Sequence, residues 1–139
     1  ARLTGMMEGT LLVSLLQAFG EGHTERIAVP SVRARAVRRA TEFIEHAGRT
    51  PLPVSQVCEA AGVSWRTLDY AFKERYGVSP KAYMKSRRLN AARRTLREAK
   101  QETTVRSAAS RWGFWHMSQF ARDYRKLFGE LPSETLGRG

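Results

Sequence analysis

Apolar residues recur at helical spacing along most of the chain, and glycine, proline and serine cut the pattern into short pieces. Leu3, Met6, Met7, Leu11, Leu15 and Phe19 form a stripe that Leu12, Val13 and Leu16 widen. They predict a helix over 3–19, weakened by Gly5 and Gly9, and residues 20–30 then read as a linker. Ser31 stands where it can cap a helix over 33–47, whose apolar face is Val32, Ala36, Val37, Ala40, Phe43, Ile44 and Ala47 and which Gly48 ends. Beyond Pro51 and Pro53, a short helix turns Val54, Val57, Cys58 and Ala61 inward. Gly62 turns the chain, and Ser64 caps a helix over 65–76 with Leu68, Ala71, Phe72 and Tyr76 on its inner face. Ser79 and Pro80 open a long helix to about residue 99, since proline suits a first helical turn. Its inner positions are Tyr83, Met84, Leu89, Ala92 and Leu96. Thr103 or Thr104 caps a helix ending near Trp112, a further helix follows over about 116–128, and Pro132 and Ser133 begin a last one. No stretch alternates usefully with a period of two. The fold class is all-α, with about seven helices after the first.

The chain repeats itself. Gly62-Val63, Leu68, Phe72-Lys73, Tyr76-Gly77 and Pro80 are answered by Gly113-Phe114, Phe120, Tyr124-Arg125, Phe128-Gly129 and Pro132. From Leu68 to Pro80 the offset is 52 throughout, and across Gly62 it is 51, so the second turn carries one extra residue. Each copy is a short helix, a glycine turn and a longer helix, which is a helix-turn-helix. The first spans about 53–77 and the second about 104–129, with a connecting helix over about 80–99 between them.

Charge adds a partner to this picture. The 139 residues carry 24 Lys+Arg against 13 Asp+Glu, a formal net charge of +11. Residues 81–100 alone hold eight basic residues against the single Glu98. One-sign excess on a folded chain works against its own stability, and a polyanion partner offsets that. A phosphate-facing surface on the connecting helix is the reading; a solvated helix face is the plainer alternative. Hydrophobic residues make up 42%, enough for a core.

The sequence resembles the DNA-binding domain of the AraC/XylS family of bacterial transcription regulators over about residues 33–137. The resemblance is carried by Ala60-Ala61-Gly62-Val63-Ser64, Leu68, Phe72-Lys73, Gly77-Val78-Ser79-Pro80 and Tyr83. Arg88-Leu89-Asn90 with Ala92-Arg93 matches the connecting helix. Ala108-Ala109, Gly113-Phe114, Ser118, Phe120, Arg122, Tyr124-Arg125-Lys126, Phe128-Gly129 and Pro132 complete it. Trp112, Trp115 and Leu131 depart mildly from the family pattern. The resemblance implies two helix-turn-helix subdomains joined by one long helix. It also implies an N-terminal effector-binding or dimerising domain ahead of residue 31. Helix 3–19 would then be the last helix of that domain, often a dimer-forming element, and 20–30 the linker; an ordinary terminal helix packing on its own domain is the other reading. No cofactor is expected in these 139 residues, any effector belonging to the preceding domain.

Double-stranded DNA is the expected partner, RNA polymerase a further one, and a second copy of the chain a third through 3–19. A connecting helix of about 19 residues is about 28 Å long, close to the roughly 34 Å repeat of the major groove. Recognition helices at its two ends can enter successive grooves on one face. The copies run in tandem, so the site should be asymmetric. In the first helix Trp65, Arg66, Asp69, Tyr70 and Lys73 project outward. The family places Arg66, Asp69 and Tyr70 towards bases. Arg66 can grip guanine with two donors, and Asp69 can accept from cytosine or simply favour the helix N-terminus. In the second helix the outward set is His116, Met117, Ser118, Ala121, Arg122 and Arg125. Arg122 is the best base or phosphate contact, Arg125 and Lys126 are phosphate contacts, and Ser118 also suits a bond back to the helix start.

Other functions fare worse. His23, His46 and His116 lack ligand spacing, Cys58 reads as a buried apolar thiol, and no carboxylate pair suggests acid–base work, so an enzyme is not expected. No apolar run is long enough to span a bilayer, and a cytoplasmic setting follows. Sequence-blind coating of DNA or RNA, and docking of the basic helix on an acidic protein, remain as alternatives. The first would show no preference for a chosen site, and the second no DNA affinity at low salt.

Overall fold

The punctuation residues do what their chemistry dictates. In the computed structural model, which describes residues 30–139, Ser64 Oγ accepts from the Thr67 N–H at 3.3 Å and Ser79 Oγ from the Ala82 N–H at 3.2 Å, each capping a helix. Thr104 and Ser107 exchange bonds of 3.0 and 2.9 Å, a reciprocal cap at a third helix. Seven helices follow in order among the described residues: α1 (Val32–His46), α2 (Val54–Ala61), α3 (Trp65–Tyr76), α4 (Pro80–Arg97), α5 (Val105–Arg111), α6 (Met117–Phe128) and α7 (Pro132–Leu136). None of these residues is in a strand. The all-α reading holds. The helix read at 3–19, its dimer contact and the linker after it lie outside the described residues.

Two cores form. Ala36, Val37, Ala40, Ile44, Val57, Ala61, Leu68, Ala71 and Phe72 bury one between α1, α2 and α3, with Tyr83 and Met84 of α4 against it. Leu89, Ala92 and Leu96 of α4 enter the other with Ala108, Ala109, Phe114, Phe120 and Tyr124. The N-terminal half of α4 therefore closes one bundle and its C-terminal half the next. Two expected core residues are exposed. Val32 is exposed, because it lies in the first turn of α1, one turn before the buried stretch that starts at Ala36. Tyr76 sits on the rim, where its ring stacks on Tyr83 with centroids 4.8 Å apart. Helix α4 stops at Arg97 rather than 99, because the Lys100 N–H bonds Thr103 Oγ1 at 3.1 Å and turns the chain towards α5.

The second bundle is locked by a polar chain. Thr135 Oγ1 donates to Glu130 Oε1 at 2.6 Å, so the buried Tyr124 hydroxyl donates to Thr135 at 2.7 Å. Arg138 and Arg93 reach the same carboxylate at 2.8 and 3.4 Å. The Thr135 hydrogen bond, with the Arg138 and Arg93 charges, holds Glu130 below the usual carboxylate pKa.

Gly113 joins the two bundles. Its φ is +80°, and a Cβ there would stand 3.1 Å from Pro51 Cγ and 3.3 Å from Arg88 Nη1. Gly129, at φ +72°, has open space where its Cβ would go. Gly129→Ala should therefore lose about 1 kcal/mol, from backbone strain alone. Gly113→Ala adds the collision and should lose about 1 kcal/mol more. Urea midpoints of the two variants check this, and equal losses would mean that Pro51 gives way freely.

Candidate nucleic-acid interface

Helix α3 presents a compact polar face. Arg66 and Lys73 are exposed, Trp65 is 43% exposed and Tyr70 52%. Asp69 is half-buried, and its carboxylate takes the Lys73 ammonium at 2.6 Å. These two side chains thus meet across one turn instead of standing free. Tyr70 lies between two guanidiniums, Arg66 and Arg33, each 5.9 Å from its ring centroid. Arg33 is held in turn by Glu74 at 3.5 Å. Sequence reasoning missed Arg33, since it belongs to α1 and no spacing along α3 points to it.

Helix α6 offers a more cationic surface. His116, Ser118, Arg122, Arg125 and Lys126 are exposed, and the three cations have no salt-bridge partner among the described residues. Met117 differs from its expected role: it is half-buried and packs against the second core, which takes its flexible apolar side chain out of water. The expected bond from Ser118 to the helix start is not formed, and His116 gives no side-chain cap either, so this helix entry is left open. Just before it stands Trp115, 70% exposed. Its neighbour Trp112 takes the inward role, donating its indole N–H to Thr95 Oγ1 at 2.9 Å. Both tryptophans stood out in the sequence, but which of them faced outward could not be read from spacing.

The connecting helix uses half of its basic residues within the molecule. Arg87 pairs with Glu45 at 3.1 Å, Lys85 with Asp123 at 3.3 Å and Arg93 with Glu130 at 3.4 Å. Arg88 Nη1 donates to the Gly113 carbonyl at 3.3 Å, and its guanidinium lies 4.9 Å from the Phe114 ring centroid. Burial holds the Arg88 pKa below the usual arginine value. Four of the eight basic residues at 81–100 therefore tie α4 to the two bundles. Lys81, Arg94, Arg97 and Lys100 have no salt-bridge partner among the described residues.

Two helices of matching register, each showing arginine, are thus held by one helix that four of its own cations tie to both bundles. Residues 57–138 match a helix-turn-helix domain family. A solved structure, a probable AraC family transcriptional regulator from Rhodopseudomonas palustris, is 42% identical with a TM-score of 0.70, over 74% of this chain and 95% of that one. The chain belongs to the AraC family. This AraC-family DNA-binding domain is also 33% identical over 132 residues to a probable thc operon regulatory protein from Rhodococcus erythropolis. It is 32% identical over 131 residues to the XylDLEGF operon transcriptional activator 1 from Pseudomonas putida. Each match covers 94% of this chain and 39% of the relative, so the chain spans about two fifths of their length. No helix among the described residues is long and apolar enough to cross a membrane.

Proposed function

We infer that this domain reads an asymmetric stretch of double-stranded DNA, with α3 and α6 in successive major grooves. The observation that carries the reading is the tandem repeat itself: two recognition helices of one register, at the two ends of the 18-residue α4. Arg66, in the first turn of α3, reads a base, with Tyr70 and Trp65 beside it. Arg122 reads a base or phosphate from α6, while Arg125 and Lys126, further along, meet the backbone. In the whole protein, a bacterial transcription regulator in the cytoplasm, residues 3–19 pair with a second copy. RNA polymerase is a further contact, and any effector binds a preceding domain.

Selection of binding sites from random duplexes, followed by titration of two variants, tests this. Arg66→Ala should weaken the selected site by about 1–3 kcal/mol and a scrambled one little. Arg125→Ala should weaken both alike and flatten the salt dependence by about one unit. Equal weakening of both duplexes by Arg66→Ala would remove that residue from base reading, and a palindromic selected site would remove the tandem docking.

A further inference from the structure

A cavity of about 420 Å³ lies between the two bundles, away from the outward residues of α3 and α6. It falls within the roughly 300–1,000 Å³ range of small-ligand sites. Its apolar wall combines Ile44 and the Pro51-Leu52-Pro53 stretch with Met84 of α4 and Trp112 of the second helix-turn-helix. Trp112 spends its only donor on Thr95, and the Arg49 guanidinium lies 5.7 Å from its ring centroid, so it offers a ligand the ring surface that Arg49 leaves uncovered. Over this wall stand Lys81, Arg88 and Arg94. The one carboxylate lining the cavity, Glu45, is taken by Arg87. Arg88 is half-buried between a carbonyl and an aromatic ring, neither of which neutralises it. Three positive charges without a salt-bridge partner among the described residues thus border a space that is apolar on one side, with no counter-charge free among the lining residues. Lys81 and Arg94 are exposed and keep their water, but Arg88 is half-buried, and a charge taken partly from water is favoured by an opposite one. A phosphate alone would not use the apolar side.

We propose that this cavity is a binding site for a small organic anion with an apolar body and one anionic head. The body lies against Leu52, Met84 and Trp112, and the head meets the half-buried Arg88, while Lys81 and Arg94, about 20 Å apart along α4, add their field from either end. Walls come from both bundles and from the helix between them, so an occupant there touches all three.

The test uses the 139-residue chain and three probes: 8-anilinonaphthalene-1-sulfonate, its neutral counterpart N-phenyl-1-naphthylamine, and inorganic phosphate. The sulfonate should bind one per chain, and the neutral compound about tenfold more weakly or worse. Phosphate should not displace the sulfonate at equal concentration. The exposed pair Lys81→Glu and Arg94→Glu, made together and checked for unchanged circular dichroism and melting temperature, should weaken the sulfonate by about tenfold or more. Arg35→Glu, on the exposed face of α1, should leave it unchanged. Equal binding of the neutral compound, displacement by phosphate, or indifference to the double charge reversal each overturns the assignment. None of these outcomes bears on DNA reading, which is scored by the duplex titrations.

Discussion

Phe72→Ala should lose about 3–5 kcal/mol, a large share of the roughly 5–15 kcal/mol that holds a domain of this size together. Phe72 is fully buried, and its ring lies 5.6 Å from Tyr76 and 5.3 Å from Tyr83. Removing it empties the centre of the bundle of α1, α2 and α3. The second core shares none of these residues, so the loss should be local. Hydrogen exchange of the variant should show amides of α1–α3 opening while those of α5 and α6 keep their protection. Uniform acceleration across all seven helices would mean that the bundles unfold as one unit, with the salt bridges of α4 strong enough to couple them.

Raising salt from 50 to 200 mM should weaken binding to a duplex about a thousand-fold, a log–log slope of about −5 for some six neutralised phosphates. Under the proposed docking Arg66, Arg122, Arg125 and Lys126 would supply such contacts, and the cations of α4 without a salt-bridge partner among the described residues would be the further source. A much steeper slope is not expected, because Lys85, Arg87, Arg88 and Arg93 are engaged inside the protein. Titrations at four salt concentrations check the value. A slope shallower than about −2 would leave fewer than three phosphates in contact and contradict the proposed docking.

Much of the fold was legible because the helix ends are chemically marked. Ser64, Ser79 and Thr104 cap, Gly62, Gly77 and Gly129 end helices in the left-handed conformation, and the repeat aligned Leu68 with Phe120 and Phe72 with Tyr124. Periodicity says which side of a helix turns inward; it does not say what it meets. The apposition of Pro51 with Gly113 joins positions 62 residues apart, and nothing in either neighbourhood announces it. The cations of α4 illustrate the same limit. As a run they suggest a phosphate-facing stripe, yet their long, flexible stems let several swing to carboxylates on other helices. Arg33 joined the α3 surface, and Met117 left the α6 surface, for reasons of packing between helices that a single helix pattern does not contain.

The uninterrupted α4 has a consequence for the duplex. It is 18 residues long, its halves lie in separate cores, and Arg87 and Lys85 brace it on both sides. Among the described residues no turn interrupts the helix between the two bundles. Successive base pairs are rotated by about 34° around the DNA axis. Inserting one between the two contacted segments would carry the second segment around the duplex, out of reach of a helix that cannot swing after it. Changing the bases of that intervening stretch would leave its phase intact. Under the proposed docking, the protein thus measures a length of DNA as well as reading its letters, and the ruler is a single α-helix.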